Sequence, residues 1–151
     1  MIRCILFCFI ALSLSLAHAG SAKGAMVCIQ KNGVEMCTVD KGFFHSTHIF
    51  GQSSRYVMDG LYCQVVNLRI RNLTTRNVFI APENFLGETE TGQRYAVDRS
   101  LHDSMNWPQK LTPKTLAPHE TLEGDLIFPV LSSPVRKITH NGHPYMEIFL
   151  Y

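Results

Sequence analysis

Histidine is the titratable residue type that stands out in this sequence, and two pairs have spacings found among metal ligands. His45 and His48 form one His-x-x-His pair, and His140 and His143 form another. An Asn-Gly dipeptide separates the second pair and predicts a tight hairpin, because both central positions of a type I′ turn need positive φ. His140 and His143 would then be cross-strand neighbours, close enough to bind one ion. Since imidazole suits copper and zinc, these histidines are the candidate metal ligands.

The alternative interpretation of the histidines is a polar, solvent-exposed hairpin tip. Two imidazoles are fewer ligands than a stable site needs. A complete site would require His45 or His48 to lie beside the C-terminal hairpin, and nothing in the sequence indicates this. We therefore expect a protein without a cofactor, and a periplasmic copper- or zinc-binding protein is the alternative.

The sequence offers no recognisable catalytic site. Leu101-His-Asp-Ser104 contains the residue types of a hydrolytic triad, but consecutive residues cannot meet in triad geometry. No glycine-rich phosphate loop, His-Glu-x-x-His or Cys-x-x-Cys motif is present. The carboxylates, Asp125 among them, fall near turns or on polar strand faces, which predicts solvated side chains. The net charge is +2, and the basic residues do not form a stripe in the sequence that would bind nucleic acid. We expect a protein that is not an enzyme.

Trp107 and Met105 are large apolar residues in a polar segment, Arg99–Lys114, that contains two prolines. They form either a patch that binds a partner or a pair that covers one end of the domain. Connecting segments on a rigid scaffold are where binding residues concentrate. We therefore expect recognition in Arg99–Lys114 and in Asp40–Gly60.

The cysteines predict one disulfide. Asn32-Gly33 predicts a type I′ turn, and counting outward from it places Cys28 opposite Cys37. The pair falls on a non-hydrogen-bonded position, where side chains approach most closely. An oxidising compartment would then favour a Cys28–Cys37 bond. Cys63 is left over, and we expect a small buried thiol. The alternatives are an intermolecular bridge, a reactive thiol or a rearranged pairing with Cys28 or Cys37.

The N-terminus predicts export. Met1–Ala19 contains a basic residue, an apolar run and then Ala17-His-Ala19, which has small residues at the two positions that a signal peptidase requires. The apolar run is shorter than the roughly 20 residues that cross a bilayer, so we expect no membrane anchor. Cleavage would leave a spacer at residues 20–25 and a protein that is periplasmic or secreted.

The elements that would position these residues are strands. Residues 26–151 predict a single all-β domain made of an N-terminal hairpin at 26–39, an irregular segment at 40–60 and a core at 61–151. Apolar and polar residues alternate in Leu61–Asn72 and in Thr121–Val130, as in half-buried strands. About seven strands after Leu61, with frequent turn signals and no long amphipathic helix, favour a two-sheet β-sandwich.

Four features within Cys63–Val130 carry a resemblance to a known family. In order they are Val65-Val-Asn-Leu-Arg-Ile-Arg-Asn72, Phe85-Leu followed by Thr91-Gly-Gln-Arg-Tyr95, a polar and variable stretch, and Leu116-Ala-Pro-His-Glu-Thr-Leu-Glu-Gly-Asp-Leu-Ile-Phe-Pro129. This stretch resembles the telokin-like group of exported, immunoglobulin-like bacterial domains of unknown function. His119 stands where the group customarily has glycine. The resemblance implies an immunoglobulin-like sandwich and supplies no catalytic residues.

These observations predict an exported, non-enzymatic binding or accessory module of the cell envelope. The expected partner is another envelope or extracellular protein. The sequence does not predict the oligomeric state. Asn72-Leu-Thr74 is a glycosylation acceptor triplet, which would matter only in a eukaryotic secretory pathway.

Overall fold

The computed structural model describes residues 24–57, 61–130 and 133–150. The predicted signal peptide and most of the spacer lie outside these residues. Ten strands, two short helices and one 3₁₀ turn follow one another in the described part of the chain. They are β1 (Val27–Lys31), β2 (Val34–His45), α1 (Ser46–Phe50), β3 (Tyr62–Asn72), β4 (Val78–Ile80), the turn Pro82–Asn84, β5 (Phe85–Thr89), β6 (Arg94–Ala96), α2 (Arg99–Asp103), β7 (Lys114–Leu116), β8 (Thr121–Val130), β9 (Val135–His140) and β10 (Met146–Phe149).

Two four-stranded sheets form a sandwich. The first sheet has the order β1-β2-β3-β8, the second has the order β10-β9-β5-β6, and β4 pairs with β7 in a separate ribbon. Both sheets contribute to one buried core, with Leu68 and Phe128 from the first and Phe85 and Ile138 from the second. The two-sheet, immunoglobulin-like β-sandwich expected from the sequence is thus confirmed.

The N-terminal hairpin forms in the predicted register. Lys31 pairs with Val34, and Cys28 pairs with Cys37. Asn32 and Gly33 have φ values of 49° and 77°, as a type I′ turn requires. The Cα atoms of Cys28 and Cys37 are 4.0 Å apart and their sulfurs are bonded, which confirms the predicted disulfide.

The predicted boundary at residue 39 is wrong, because β2 continues to His45. The register of β2 against β3 shifts between Asp40 and Gly42, so Lys41 is the extra residue of a β-bulge. Gly42 has φ +89°, and its N–H donates to Asp40 Oδ1 at 2.8 Å. The bulge interrupts the alternation of the sequence, which is why the strand reads as irregular beyond Val39.

The predicted C-terminal hairpin register is also wrong. His140 pairs with Met146 rather than with His143, and a longer connection replaces the two-residue turn. The observed register places Met146 and Ile148 on the core face beside buried Ile138. The predicted register is offset by an odd number of residues and would have turned both side chains to solvent. Burial of the apolar side chains therefore decides the register.

A second, smaller core covers part of the outer face of the first sheet. Ile49 and Phe50 of α1, together with Met105, pack on Cys63, Val65 and Ile127 of β3 and β8. Trp107 lies at the border of this core, partly buried. The rest of the outer face, farther along β3, carries the exposed side chains of Arg69 and Arg71. The first sheet is thus covered on both faces at one end only.

Candidate functional site

The two segments in which we expected recognition lie against each other. The N–H of Asn106 donates to the carbonyl of Ile49 at 2.8 Å. The rings of Phe44 and Trp107 are in edge-to-face contact, with centroids 5.1 Å apart. Residues from 40–60 and 99–114 therefore form one surface on the outer face of the first sheet.

Asp125 is the centre of this surface. It is fully buried, and its carboxylate accepts three hydrogen bonds, each 2.8 Å long. Oδ1 accepts from Asn67 Nδ2, while Oδ2 accepts from Lys41 Nζ and Trp107 Nε1. Ionic and hydrogen-bonding partners compensate the cost of burying a carboxylate. The expectation that Asp125 is solvated is wrong, because the segment around Trp107 covers its strand face.

The bulge in β2 explains how Lys41 reaches Asp125. Bulges redirect a side chain that regular alternation would point elsewhere. The ammonium of Lys41 bonds Asp125 and also Gln109 Oε1 at 3.1 Å, while its side chain remains 31% exposed. A glycine inside a strand pattern is the signal that predicts a bulge, and Gly42 provides it. Lys41 is thus a cation held in place at the solvent boundary.

Residues 109–111 run beside β8 and cover its edge. The N–H of Asp125 donates to the carbonyl of Gln109 at 2.7 Å, and the N–H of Leu111 donates to the carbonyl of Asp125 at 2.8 Å. A Cβ on Gly124 would lie 2.7 Å from Leu111 Cα, so only glycine allows this approach. The backbone of the segment is therefore fixed by the strand that it covers.

These elements enclose an open groove of about 840 Å³, here called the Lys41 groove. Apolar side chains (Val39, Phe44, Pro108) and polar ones (Lys41, Asn67, Gln109) both line it. Exposed Thr112 and Glu123 lie at the same groove. A groove with this mixture can pack an apolar group while fixed polar atoms set its orientation.

Met105 and Trp107, the predicted partner-binding pair, have different positions. Met105 is only 4% exposed because α1 and β3 cover it, so it cannot belong to an exposed patch. Trp107 is half-buried and donates to Asp125. Trp107 therefore supports the surface around the Lys41 groove.

The histidines do not come together. The side chain of His45 caps α1 by accepting from the N–H of Thr47 at 3.3 Å, and His48 is exposed on that helix. His140 is fully buried against Phe85, whereas His143 is exposed. Within the described residues no group of three or more potential metal ligands is found. Copper or zinc binding stays a prediction with no ligand set assembled for it.

His140 and His102 are buried, and burial lowers the pKa of each ring below its usual value. His140 Nδ1 bonds the carbonyl of Pro144 at 2.9 Å, and a carbonyl only accepts, so Nδ1 carries the proton. Nε2 of each ring is buried without a hydrogen-bond partner among the described residues. Ser104 donates to the carbonyl of Leu101 at 2.6 Å, so its hydroxyl is directed away from triad chemistry.

Cys63 and Asn72, two further residues considered from the sequence, are both buried. Cys63 is a free, buried thiol, and desolvation raises its pKa to about 11, as expected for a small hydrophobic residue. Asn72 is fully buried, and its amide donates to the carbonyls of Arg76, Leu116 and Ala117. This amide joins three segments and is not accessible for glycosylation.

No family model matches the chain, so membership of the telokin-like group stays a prediction. No curated protein matches it either. The chain is similar to the solved structure of MPT63, a secreted protein from Mycobacterium tuberculosis, with a TM-score of 0.54 and 14% sequence identity. The alignment covers 84% of this chain and 91% of that chain. The likeness shows a shared fold.

None of the helices in the described part of the chain has the length and hydrophobicity of a membrane span.

Proposed function

We propose that this protein is an exported, non-enzymatic binding module that holds a segment of another envelope or extracellular protein in the Lys41 groove. The observation that carries the proposal is the buried Asp125, which fixes Lys41, Asn67 and Trp107 around one open groove. Fixed side chains bind with a smaller loss of conformational entropy than mobile ones. The Cys28–Cys37 disulfide, the predicted signal peptide and the secreted structural neighbour support the exported location.

The composition of the groove favours a protein partner. Phe44 and Pro108 offer apolar contact area, and Gln109 and Asn67 offer amides that both donate and accept. Lys41 has three donor hydrogens and uses two on Asp125 and Gln109, which leaves one for a carbonyl or carboxylate of the partner. An extended peptide supplies apolar side chains and backbone carbonyls, the two kinds of group that these residues can contact.

Site-specific photocrosslinking tests the proposal. Photoreactive benzoylphenylalanine replaces Glu123 at the groove or, as the control, Thr115 on β7. Each variant is expressed in the organism that encodes the protein. We expect a discrete adduct with one exported protein from position 123 and none from position 115. Thr112→Arg fills the groove from an exposed position and should reduce the adduct at least tenfold, while Thr115→Arg should leave it unchanged.

Two outcomes would contradict this function. One is the same set of adducts from both positions, which indicates non-specific contact. The other is a position-123 adduct that is insensitive to Thr112→Arg, because the partner would then bind outside the groove. Thermal unfolding of both arginine variants shows whether each remains folded.

A further inference from the structure

A second groove lies at the end of the sandwich where β2 begins and β3 ends. It has a volume of about 520 Å³ and is here called the Arg76 groove. Three connections form it: the β1–β2 turn with Asn32, the β3–β4 connection with Arg76 and Asn77, and the β9–β10 connection with His143. Loops at the ends of a sandwich are the positions where immunoglobulin-like folds carry recognition.

Hydrogen bonds tie these connections together. The N–H of Leu73 donates to the carbonyl of Gly33 at 2.7 Å, and the N–H of Asn141 donates to the carbonyl of Asn84 at 2.8 Å. The buried amide of Asn72 donates to the carbonyl of Arg76 at 2.7 Å. These hydrogen bonds fix the backbone of the three connections, so the Cα atoms that carry the exposed side chains of the groove have defined positions.

Several exposed side chains in this groove are not used by the fold. Arg76 forms no ion pair with any described residue, in contrast to Lys41, Arg94 and Lys137, which each pair with a carboxylate. No carboxylate is found among the described residues that line the groove. The side chains of Asn32, Asn77, Asn84 and His143 likewise make no hydrogen bond to the described part of the chain. The groove thus combines several polar side chains that have no hydrogen-bond partner among the described residues with a guanidinium that has no ion-pair partner there.

An exposed aromatic ring completes the site. Phe79 lines the same groove and is 55% exposed, although a phenylalanine gains most by burial. A ligand that suits the groove has an anionic group for Arg76, several hydroxyls for the amides and an apolar face for the ring. The geometry points to an acidic saccharide, bound through a carboxylate or sulfate on Arg76, hydroxyls on the asparagines and a sugar ring against Phe79.

This site is separate from the Lys41 groove, which lies at the bulge in β2. An acidic peptide would satisfy Arg76 and would offer the asparagine amides one backbone N–H and one carbonyl per residue. A sugar ring carries several hydroxyls, each of which both donates and accepts, so it can satisfy the three asparagines more completely. Saccharide binding therefore uses more of the observed side chains than peptide binding does.

Calorimetric titration of the protein recovered from its exported fraction tests the proposal. The probes are hexagalacturonate, which carries carboxylates, a heparin-derived hexasaccharide, which also carries sulfates, neutral maltohexaose and hexaglutamate. We expect at least one acidic hexasaccharide to bind, with maltohexaose and hexaglutamate at least tenfold weaker. The preferred acidic probe shows which anionic group Arg76 recognises.

Matched variants locate the binding. Arg76→Ala should weaken the preferred probe at least tenfold, and Phe79→Ala should weaken it severalfold, since both side chains are exposed and unpaired. Arg71→Ala removes the same charge from the outer face of the first sheet and should change affinity by less than twofold. Binding of neither acidic saccharide, equal losses in Arg76→Ala and Arg71→Ala, or equally tight binding of hexaglutamate would each overturn the proposal.

Discussion

The two terminal hairpins contain the same Asn-Gly dipeptide and fold differently. In the N-terminal hairpin, Asn32-Gly33 forms the two-residue turn, and every pair falls where the turn predicts. In the C-terminal hairpin, Asn141-Gly142 belongs to a longer connection, and the first pair joins His140 to Met146. One local signal therefore gives two outcomes within one domain.

The difference lies in what each strand has to bury. On β2, the register set by the turn already buries Val34 and Met36, so the turn and the core agree. On β10, the register set by the turn would expose Met146 and Ile148, so the turn and the core conflict. A favourable turn contributes much less free energy than two buried apolar side chains, each worth about 1.5–3 kcal/mol. The core therefore overrides the turn where the two disagree.

The test with the largest expected effect is a pair of substitutions on β10. Ile148 is 1% exposed and Phe149 is 54% exposed. Ile148→Ala should reduce the free energy of unfolding by about 2–5 kcal/mol, and Phe149→Ala by less than about 1 kcal/mol. Urea denaturation measures both values. The register set by the Asn-Gly turn requires the opposite ranking, because it would bury Phe149.

The next test concerns the disulfide, a constraint that the N-terminal hairpin has and the described part of the C-terminal hairpin lacks. Removing it with Cys28→Ser and Cys37→Ser should reduce the free energy of unfolding by about 2–3 kcal/mol, because the bond closes a short loop. Denaturation with and without reductant checks this. Reductant should destabilise the native protein and leave the double variant unchanged. A loss below about 0.5 kcal/mol would show that turn and core hold the hairpin alone.

The two turn glycines give a sharper comparison. Gly33→Ala places a side chain at φ +77°, with its Cβ 2.7 Å from the Thr74 side chain, and should cost about 1–2 kcal/mol. Gly142→Ala should be destabilising for another reason, since its Cβ would lie 2.7 Å from the His140 ring. In double-mutant cycles, His140→Ala should therefore couple to Gly142→Ala and not to Gly33→Ala. Equal coupling would refute the difference between the turns.

The smallest expected effect is a pH dependence of the free energy of unfolding, to which His140 of the C-terminal hairpin contributes. Burial lowers the pKa of His140 and of His102 in the folded state, whereas in the unfolded chain each pKa is near 6.5. The neutral rings therefore stabilise the protein fully above pH 6.5, and this stability is lost as pH falls from 6.5 through the folded-state pKa. Each group contributes a slope of at most about 1.4 kcal/mol per pH unit.

His140→Gln and His102→Gln should each flatten this acid limb, and denaturant melts between pH 7 and pH 4 measure it. His48→Gln, at an exposed position, is the matched control and should leave the slope unchanged. An unchanged slope in both buried-site variants would show that carboxylates alone set the acid stability.

Local patterns were sufficient to predict the N-terminal hairpin, the disulfide and the two long alternating strands. Alternation in Leu61–Asn72 predicts a strand with one buried face, and β3 shows this pattern from Leu68 to Asn72. Cys63 and Val65 on its other face are buried because the second core covers them. The site was harder to predict because it depends on contacts between segments distant in sequence. Asp125 has the pattern of a solvated residue, and only the approach of Trp107 and the bulge at Lys41 bury and pair it. Such tertiary contacts leave no periodic signal in the sequence.

The predicted placement of His140 opposite His143 is wrong for the same reason that the C-terminal register is. It required His140 and His143 to flank a two-residue turn, and the core moved the first pair to Met146. The sequence predicts an exposed position next to an Asn-Gly dipeptide, whereas His140 is fully buried, as are its strand neighbours Ile138 and Thr139.

The second core also makes Cys63 an internal probe of motion. The thiol lies under α1 and Met105, so a labelling reagent reaches it only when this cover opens while the main core stays folded. The rate of thiol modification under native conditions therefore measures the opening equilibrium of the surface beside the Lys41 groove, without any introduced cysteine. A ligand that fixes that surface would slow the reaction, and the chain thus carries its own reporter of occupancy.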